Sequence, residues 1–289
     1  MKKIAYVILH YNAFEMTCQC IDCLLELATG GTQIIVVDNN SSNDSGSLLK
    51  RKYECCENVH IIINDKNEGF AKGNNLGYKY AKDVVCADMI VVMNNDILIH
   101  QKDFEYRLLN YEWQKEVALI APKIINRQGH NQNPRSLKRI SSYKKIRSLL
   151  VYSIYYFLFQ FNVFYPIGMK LYNRKRNKKH VVPIEKEHKI CDVIPHGSCI
   201  IYSSTYVSLF DYAFVPITFF YGEEDILFDF VKLNKLTTLY DDSFVVYHME
   251  KVATKTVSEN ERNRLLFQTK NRISSIYKHL IYRMQNKMW

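Results

Sequence analysis

The sequence predicts an α/β fold, a Rossmann-like sheet sandwiched by helices. Three observations predict it. Apolar runs of strand length alternate with stretches of helical periodicity through residues 1–134. Clusters of Asn, Asp and Ser follow directly after the apolar runs. Hydrophobic residues make up 47% of 289, with 10 Gly and 6 Pro. That is enough apolar mass for a sizeable core and too little Gly and Pro for a disordered chain.

The elements follow in order. Residues 6–9 form an apolar strand, and 15–27 carry helical spacing. A second strand over 33–37 ends in Asp38-Asn39-Asn40-Ser41-Ser42. A helix near 47–53 leads to a third strand, 59–63, and a helix over 70–81. The fourth strand, 89–93, ends in Asn94-Asn95-Asp96. This β-α-β-α order implies parallel strands, whose carboxyl ends are where open α/β sheets bind ligands. Beyond residue 184 the alternation resumes, with strands over 190–194, 199–202 and 244–247 and a helix over 224–233. Residues 258–289 read as a terminal helix. The expected organisation is one α/β domain over 1–257 with an inserted basic and aromatic segment over 135–184, and a basic tail over 258–289.

Charge sets these segments apart. No acidic residue stands between Glu116 and Glu185, where there are 14 Lys/Arg, and none follows Glu261, where there are 7. Together they hold 21 of the 39 basic residues, so phosphate on lipid or nucleic acid is the expected partner. No RNP or Cys/His-finger motif accompanies them, which argues against a nucleic-acid-binding protein. The 21 residues 149–169 carry no charge. Their length permits a membrane span. Gln160, Asn162, Pro166 and Gly168 interrupt them, and a single crossing would separate the two halves of the site. The segment is expected to lie at an anionic membrane surface instead. The competing expectation is a helical pair packed on the domain or in a homodimer interface. Lys2 and Lys3 precede an apolar run too short for a secretory signal, so a cytoplasmic protein is expected. Cys18, Cys20 and Cys23 lack a second ligand cluster and read as packing thiols.

Five constellations can carry chemistry. Asp38 at a strand end can accept a hydrogen bond from a base or a ribose; a capped turn is the alternative. Asn67-Glu68-Gly69-Phe70 opens a helix whose N–H groups suit a diphosphate, although a capped helix explains it as well. Asp96 stands where a carboxylate can hold a divalent metal. Tyr221-Gly222-Glu223-Glu224-Asp225 gathers three acids at a helix start, where the macrodipole favours them. His248 follows another strand.

The order of these pieces resembles glycosyltransferase family 2 on the GT-A fold. The matching pieces are Ile8-Leu9-His10-Tyr11-Asn12, Val36-Val37-Asp38-Asn39, Asn67-Glu68-Gly69-Phe70, Met93-Asn94-Asn95-Asp96, Gly197-Ser198, Tyr221-Gly222-Glu223-Glu224-Asp225 and His248. They look most like the rhamnosyltransferase-like branch that builds surface polysaccharides. The resemblance implies an inverting transferase taking sugar from a UDP- or dTDP-linked donor. Its acceptor would be a glycan or a polyprenyl-diphosphate-linked glycan. Tyr11, Asp38, Asn67, Gly69, Asn74, Asn95 and Asp96 would line the donor pocket. Asp96 and His248 would hold Mg²⁺ or Mn²⁺. Asp225, beside Glu224, would be the general base. Asn94 stands where the family usually has the first Asp of its metal motif. The sequence also leaves room for a sugar-nucleotide nucleotidyltransferase, against which His10-Tyr11-Asn12 argues, since that loop lacks glycine and a basic residue. The implied location is the inner face of the cell membrane.

Overall fold

The structure, a computed structural model, describes residues 2–176, 188–250 and 261–289. The expected boundaries at 184 and 257 fall outside them, as do Lys178 and Lys179. The first strand, β1 (Ile4–His10), explains the layering by itself. Ile4, Tyr6 and Ile8 enter one core while Ala5 and Val7 enter another, because successive side chains leave a strand on opposite faces. β1 pairs in parallel with β2 (Thr32–Asp38) on one side and β4 (Met89–Asn94) on the other; β3 (Val59–Ile63) extends the sheet beyond β2. The registers pair His10 with Asp38 and Leu9 with Asn94. The polar strand ends therefore meet along one edge.

Helices α1 (Phe14–Leu25) and α2 (Ser45–Lys52) contribute Cys18, Cys20, Ile21, Leu24 and Leu49 to the first core. α3 (Gly69–Asp83) covers the other face with Ala71, Tyr78 and Ala81. Gly73 and Gly77 let α3 approach closely, since a Cβ on them would lie 2.7 Å from Leu9 Cδ1 and 2.5 Å from Val7 Cγ1.

The remaining strands make the sheet mixed. They are β5 (Ile97–Leu98), β6 (Val117–Asn126), β7 (Lys189–Cys191), β8 (Cys199–Tyr202) and β9 (Thr237–His248). The order is β3-β2-β1-β4-β8-β6-β9-β5, with β7 beside β9. β8 runs antiparallel to β4 and β6, and β6 runs parallel to β9 with an irregularity after Pro122. The predicted strand over 190–194 is only Lys189–Cys191, and the one over 244–247 is the end of the longer β9.

The segment 149–169 is not one helix. α5 (Ser142–Gln160) ends before a turn, and α6 (Tyr165–Arg176) follows. Among the described residues no helix is long and apolar enough to cross a membrane. Tyr155 and Phe159 of α5 pack on Leu265 of α9 (Glu261–Gln285). Short α4 (Phe104–Leu109) and α7 (Ser204–Leu209) complete the layers, with α8 (Glu223–Leu233) beneath α9.

Candidate active site

His10 ends β1 and is fully buried. It bonds Thr17 Oγ1 and Ser45 Oγ, each at 2.7 Å, and so ties the starts of α1 and α2 to the sheet. Burial pushes its pKa down to about 4 against the pull of Asp38, leaving a neutral ring. Asp38 accepts from Ser41 N at 3.3 Å and from Ser41 Oγ, and it packs tightly on Gly46 of α2. Tyr11 lies half-buried in the loop after β1.

Asn39, beside Asp38, is the hub of the next loop. Its Nδ2 donates to Asn67 Oδ1 at 3.0 Å and to the Gly69 carbonyl at 3.1 Å, and its Oδ1 accepts from Glu68 N at 3.0 Å. Asn67 also accepts from Gly69 N. Gly69 has φ 78°, and a Cβ there would lie 2.3 Å from the Phe219 carbonyl oxygen, which accepts the Phe70 N–H at 2.8 Å. Asn67 and Gly69 thus shape a turn, and the first free N–H of α3 is taken by the chain itself. The Asn74 side chain donates to the Phe70 carbonyl within the helix. Asn95 Nδ2 donates to Thr17 Oγ1 at 2.9 Å. These bonds fix the shape of the turn that opens α3, whose N-cap residue Glu68 makes no side-chain capping bond.

Asp96 and His248 come together through the smallest ladder of the sheet. β5 pairs Ile97 with His248, and Met249 N donates to the Asp96 carbonyl at 2.9 Å. His248 Nε2 lies 3.3 Å from Asp96 Oδ1, a buried oxygen with no hydrogen bond. His248 Nδ1 bonds Gln132 Oε1 at 2.7 Å. An amide oxygen only accepts, so Nδ1 carries a proton, and Nε2 is the ring nitrogen turned to the carboxylate. A ring nitrogen and a carboxylate oxygen at this separation could share a cation, and the outer bond to Gln132 is the usual orienting contact of a metal-ligating histidine. Among the described residues no group of three or more His, Cys, Asp or Glu could hold a metal. A cation here would complete its shell with ligand and water oxygens.

The turn His196-Gly197-Ser198 joins this pair to the acidic cluster. Ser198 O accepts from Asn94 N at 2.8 Å, and the His196 ring meets that of His248 at 5.8 Å. Burial pushes His196 down to about 4. A Cβ on Gly197 would come within 2.6 Å of Glu224 Oε1, so a larger residue there would displace the carboxylate from its present position.

Each of the three acids that open α8 has a different setting. Glu223 is buried and accepts from Thr218 Oγ1; burial, then repulsion from Glu224, push its pKa up to about 8. Glu224 Oε2 pairs with Arg135 Nη1 at 2.7 Å, and Oε1 is left facing Gly197. Asp225 has both oxygens engaged, by Arg135 Nη2 at 2.9 Å and Lys145 Nζ at 3.0 Å. Burial works to raise its pKa, but the two cations outweigh it and hold the carboxyl below its ordinary range. Arg135, Lys145 and Gln132 were not legible as site residues, since each stands far along the chain from the group it serves and no local pattern marks it; Asn39 lay within the quoted strand-end motif without being singled out.

This fold and this edge of the sheet define a GT-A glycosyltransferase scaffold. The chain matches the profile described as Glycosyl transferase family 2 over residues 6–181, more than half its length, and belongs to that family. It is 28% identical to the low-salt glycan biosynthesis hexosyltransferase Agl10 of Haloferax volcanii over 129 residues, 45% of this chain and 39% of that protein. It is 29% identical to the dTDP-rhamnosyl transferase RfbF of Shigella flexneri over 111 residues, 38% of this chain and 36% of that protein. The matched stretches span less than half of either relative. Among solved structures, a mannosyltransferase of Pyrobaculum calidifontis in complex with GDP-Man and Mn²⁺ superposes with TM-score 0.54 at 11% identity, covering 98% of this chain and 75% of that one. TarS 1-349 of S. aureus in complex with UDP superposes with TM-score 0.53 at 13% identity, covering 94% and 72%. At these identities the two structures establish the fold.

Proposed function

We propose that the chain transfers a sugar from a nucleoside diphosphate donor to an acceptor hydroxyl with inversion at the anomeric carbon. The observation that carries this is one turn, His196-Gly197-Ser198, linking the Asp96–His248 pair to Glu224, whose Oε1 makes no hydrogen bond among the described residues. Family membership favours transfer over the nucleic-acid-binding and nucleotidyltransferase alternatives. The names of the relatives support a hexose-type sugar, a dTDP carrier and a glycan product; a UDP carrier and a polyprenyl-diphosphate-linked acceptor in surface-polysaccharide synthesis are what the family resemblance adds.

Donor and acceptor would sit on opposite sides of that turn. Tyr11 and the Asp38–Ser41 loop would hold the nucleoside, with Asn95 and the Asn67–Gly69 turn shaping the floor. Mg²⁺ or Mn²⁺ held by Asp96 and His248 would stabilise the charge that develops on the departing diphosphate. Glu224 Oε1 would take the proton of the attacking hydroxyl, and Arg135 on Oε2 would fix the carboxylate's orientation. Direct attack needs one base and no covalent intermediate. In this reading Asp225 anchors Arg135 and Lys145, and the base is its neighbour Glu224. The enzyme would work in the cytoplasm, peripheral at the inner face of the cell membrane.

The test is a panel of UDP-, dTDP- and GDP-sugars incubated with the chain, with Mn²⁺ and with chelator. Slow, metal-dependent hydrolysis of one donor is expected. Absence of both hydrolysis and nucleoside diphosphate binding, alongside tight RNA binding, would reject the reading.

A further inference from the structure

Glu224 opens onto a cavity of about 640 Å³ between α5, the turn before α8, and α9. Arg135, Lys145 and Arg272 line it. Arg135 is neutralised by Glu224 and Asp225, and Lys145 by Asp225. Arg272 makes no ion pair among the described residues. Its guanidinium lies 4.4 Å over the Tyr221 ring and 5.5 Å over that of Tyr152, and Nη1 reaches the Tyr152 hydroxyl at 3.5 Å. Its Nε–H is buried without an acceptor. Stacking fixes the plane of a guanidinium and leaves its N–H edge for a flat or tetrahedral oxyanion.

The wall around Arg272 is built rather than incidental. Tyr221 and Gly222 both have positive φ, 75° and 84°, and a bulky residue adopts that region only where its surroundings impose it. Here Arg272 covers the Tyr221 ring on the cavity side. Ser275, one turn along α9, donates to the Phe220 carbonyl at 2.7 Å and locks the same turn. Asp96 and His248 do not line this cavity, which they adjoin through the His196 ring, and of its cations Arg272 is the one that its acids, Glu223, Glu224 and Asp225, do not pair.

We propose that this cavity is the acceptor subsite and takes an acceptor carrying a phosphate group, bound by Arg272, with its nucleophilic hydroxyl turned toward Glu224. The inference rests on the transfer reading above. A cavity of this volume accommodates a phosphorylated sugar unit. The phosphate has two sources, a soluble sugar phosphate or the head of a lipid-linked acceptor.

Calorimetry on the full chain tests it. The protein is saturated with the nucleoside diphosphate it binds and titrated with glucose 1-phosphate, farnesyl phosphate, and glucose as control. At least one phosphate is expected to bind and glucose is not. Arg272→Gln is expected to weaken that binding tenfold or more, Arg272→Lys by less, and neither to change nucleotide affinity. Ser148→Glu, which puts a carboxylate on the cavity wall and leaves Arg272 in the sequence, is expected to weaken it similarly. Binding of farnesyl phosphate alone points to the lipid-linked source, and binding of glucose 1-phosphate alone to the soluble one. Absent phosphate binding, binding indifferent to both Arg272→Gln and Ser148→Glu, or a loss of nucleotide affinity in Arg272→Gln overturns the proposal. The donor-hydrolysis panel is read separately, so failure of the transfer reading is distinguishable from failure of this one.

Discussion

Two adjacent carboxylates at the start of α8 divide the work by their surroundings. Asp225 holds two cations and its carboxyl is kept below the usual range, a poor setting for a group that must take up a proton. Glu224 keeps Oε1 on the side of Gly197. Glu224→Gln is expected to lower turnover about 10²–10⁴-fold with nucleotide affinity retained. Asp225→Asn is expected to act mainly on stability, because it leaves Arg135 and Lys145 short of a countercharge. Steady-state kinetics beside thermal melts separate the two. A full-strength Glu224→Gln enzyme with an inactive, normally stable Asp225→Asn would return the base to Asp225. Gln132 belongs to the same scale. Gln132→Leu removes the acceptor that fixes the His248 tautomer, and Mn²⁺ affinity should fall about 10–100-fold. Unchanged Mn²⁺ binding would leave Gln132 as a loop contact only.

α9 packs on α5 through Leu265, and a single carboxylate ties it to α8. Asp229 is fully buried and meets Arg139 Nε at 2.8 Å, His279 Nε2 at 2.7 Å and Arg283 Nε. Burial works against its ionisation, but the hydrogen bonds from His279, Arg283 and Arg139 outweigh it and hold the carboxyl far below its usual value. Breaking one side of such a network strands buried cations, so Asp229→Asn should destabilise by about 3–5 kcal/mol. The sign with pH follows. A carboxyl with a depressed folded pKa contributes stability that is present above its unfolded value, about 3.9, and fades as pH falls. Urea titrations at pH 7 and at pH 3 should therefore show a large gap between wild type and variant that narrows in acid. An equal gap at both would assign the loss to packing.

The same element marks the limit of what the sequence discloses. The acids at 223–225 were legible as a helix start, as were β1, β2, β4 and the polar ends that follow them, since each is a local pattern of period or cap. β6 was not, because Pro122 and Lys123 interrupt its apolar run at the irregularity where it shifts against β9. The first half of β9 was missed because Thr237, Thr238 and Asp241 read as loop. The basic tail was expected to seek phosphate on lipid or nucleic acid, yet Arg283 is buried on Asp229 and Arg262 bonds the Phe159 carbonyl. Periodicity reports which face is apolar; it cannot report which distant carboxylate a cation will reach.

On the scale of the whole molecule, α5 is apolar on two opposite faces. Tyr155 and Phe159 point to α9, while Ile146, Leu150, Ile154, Phe157, Phe161 and Phe164 are exposed in a stripe that continues through Ile167 and Leu171 of α6. A helix apolar all round is normally covered all round. Lys144, Arg147 and Lys170 are exposed along the same helices, in a stretch without acidic residues. That charge fits anionic lipid, with about 1 kcal/mol from each cation near the surface and a strength that falls as salt shortens the Debye length. Co-sedimentation with vesicles tests this. Binding is expected to phosphatidylglycerol-containing vesicles and not to pure phosphatidylcholine, to weaken between 50 and 500 mM salt (about 14 to 4 Å of screening), and to drop on joint neutralisation of Lys144, Arg147 and Lys170. Ile154→Asp with Phe157→Asp should abolish it while leaving donor hydrolysis intact, since these side chains lie on the face of α5 opposite the cavity. No vesicle binding at low salt, together with a dimer in sedimentation that the same double substitution dissolves, would assign the stripe to a second copy of the chain.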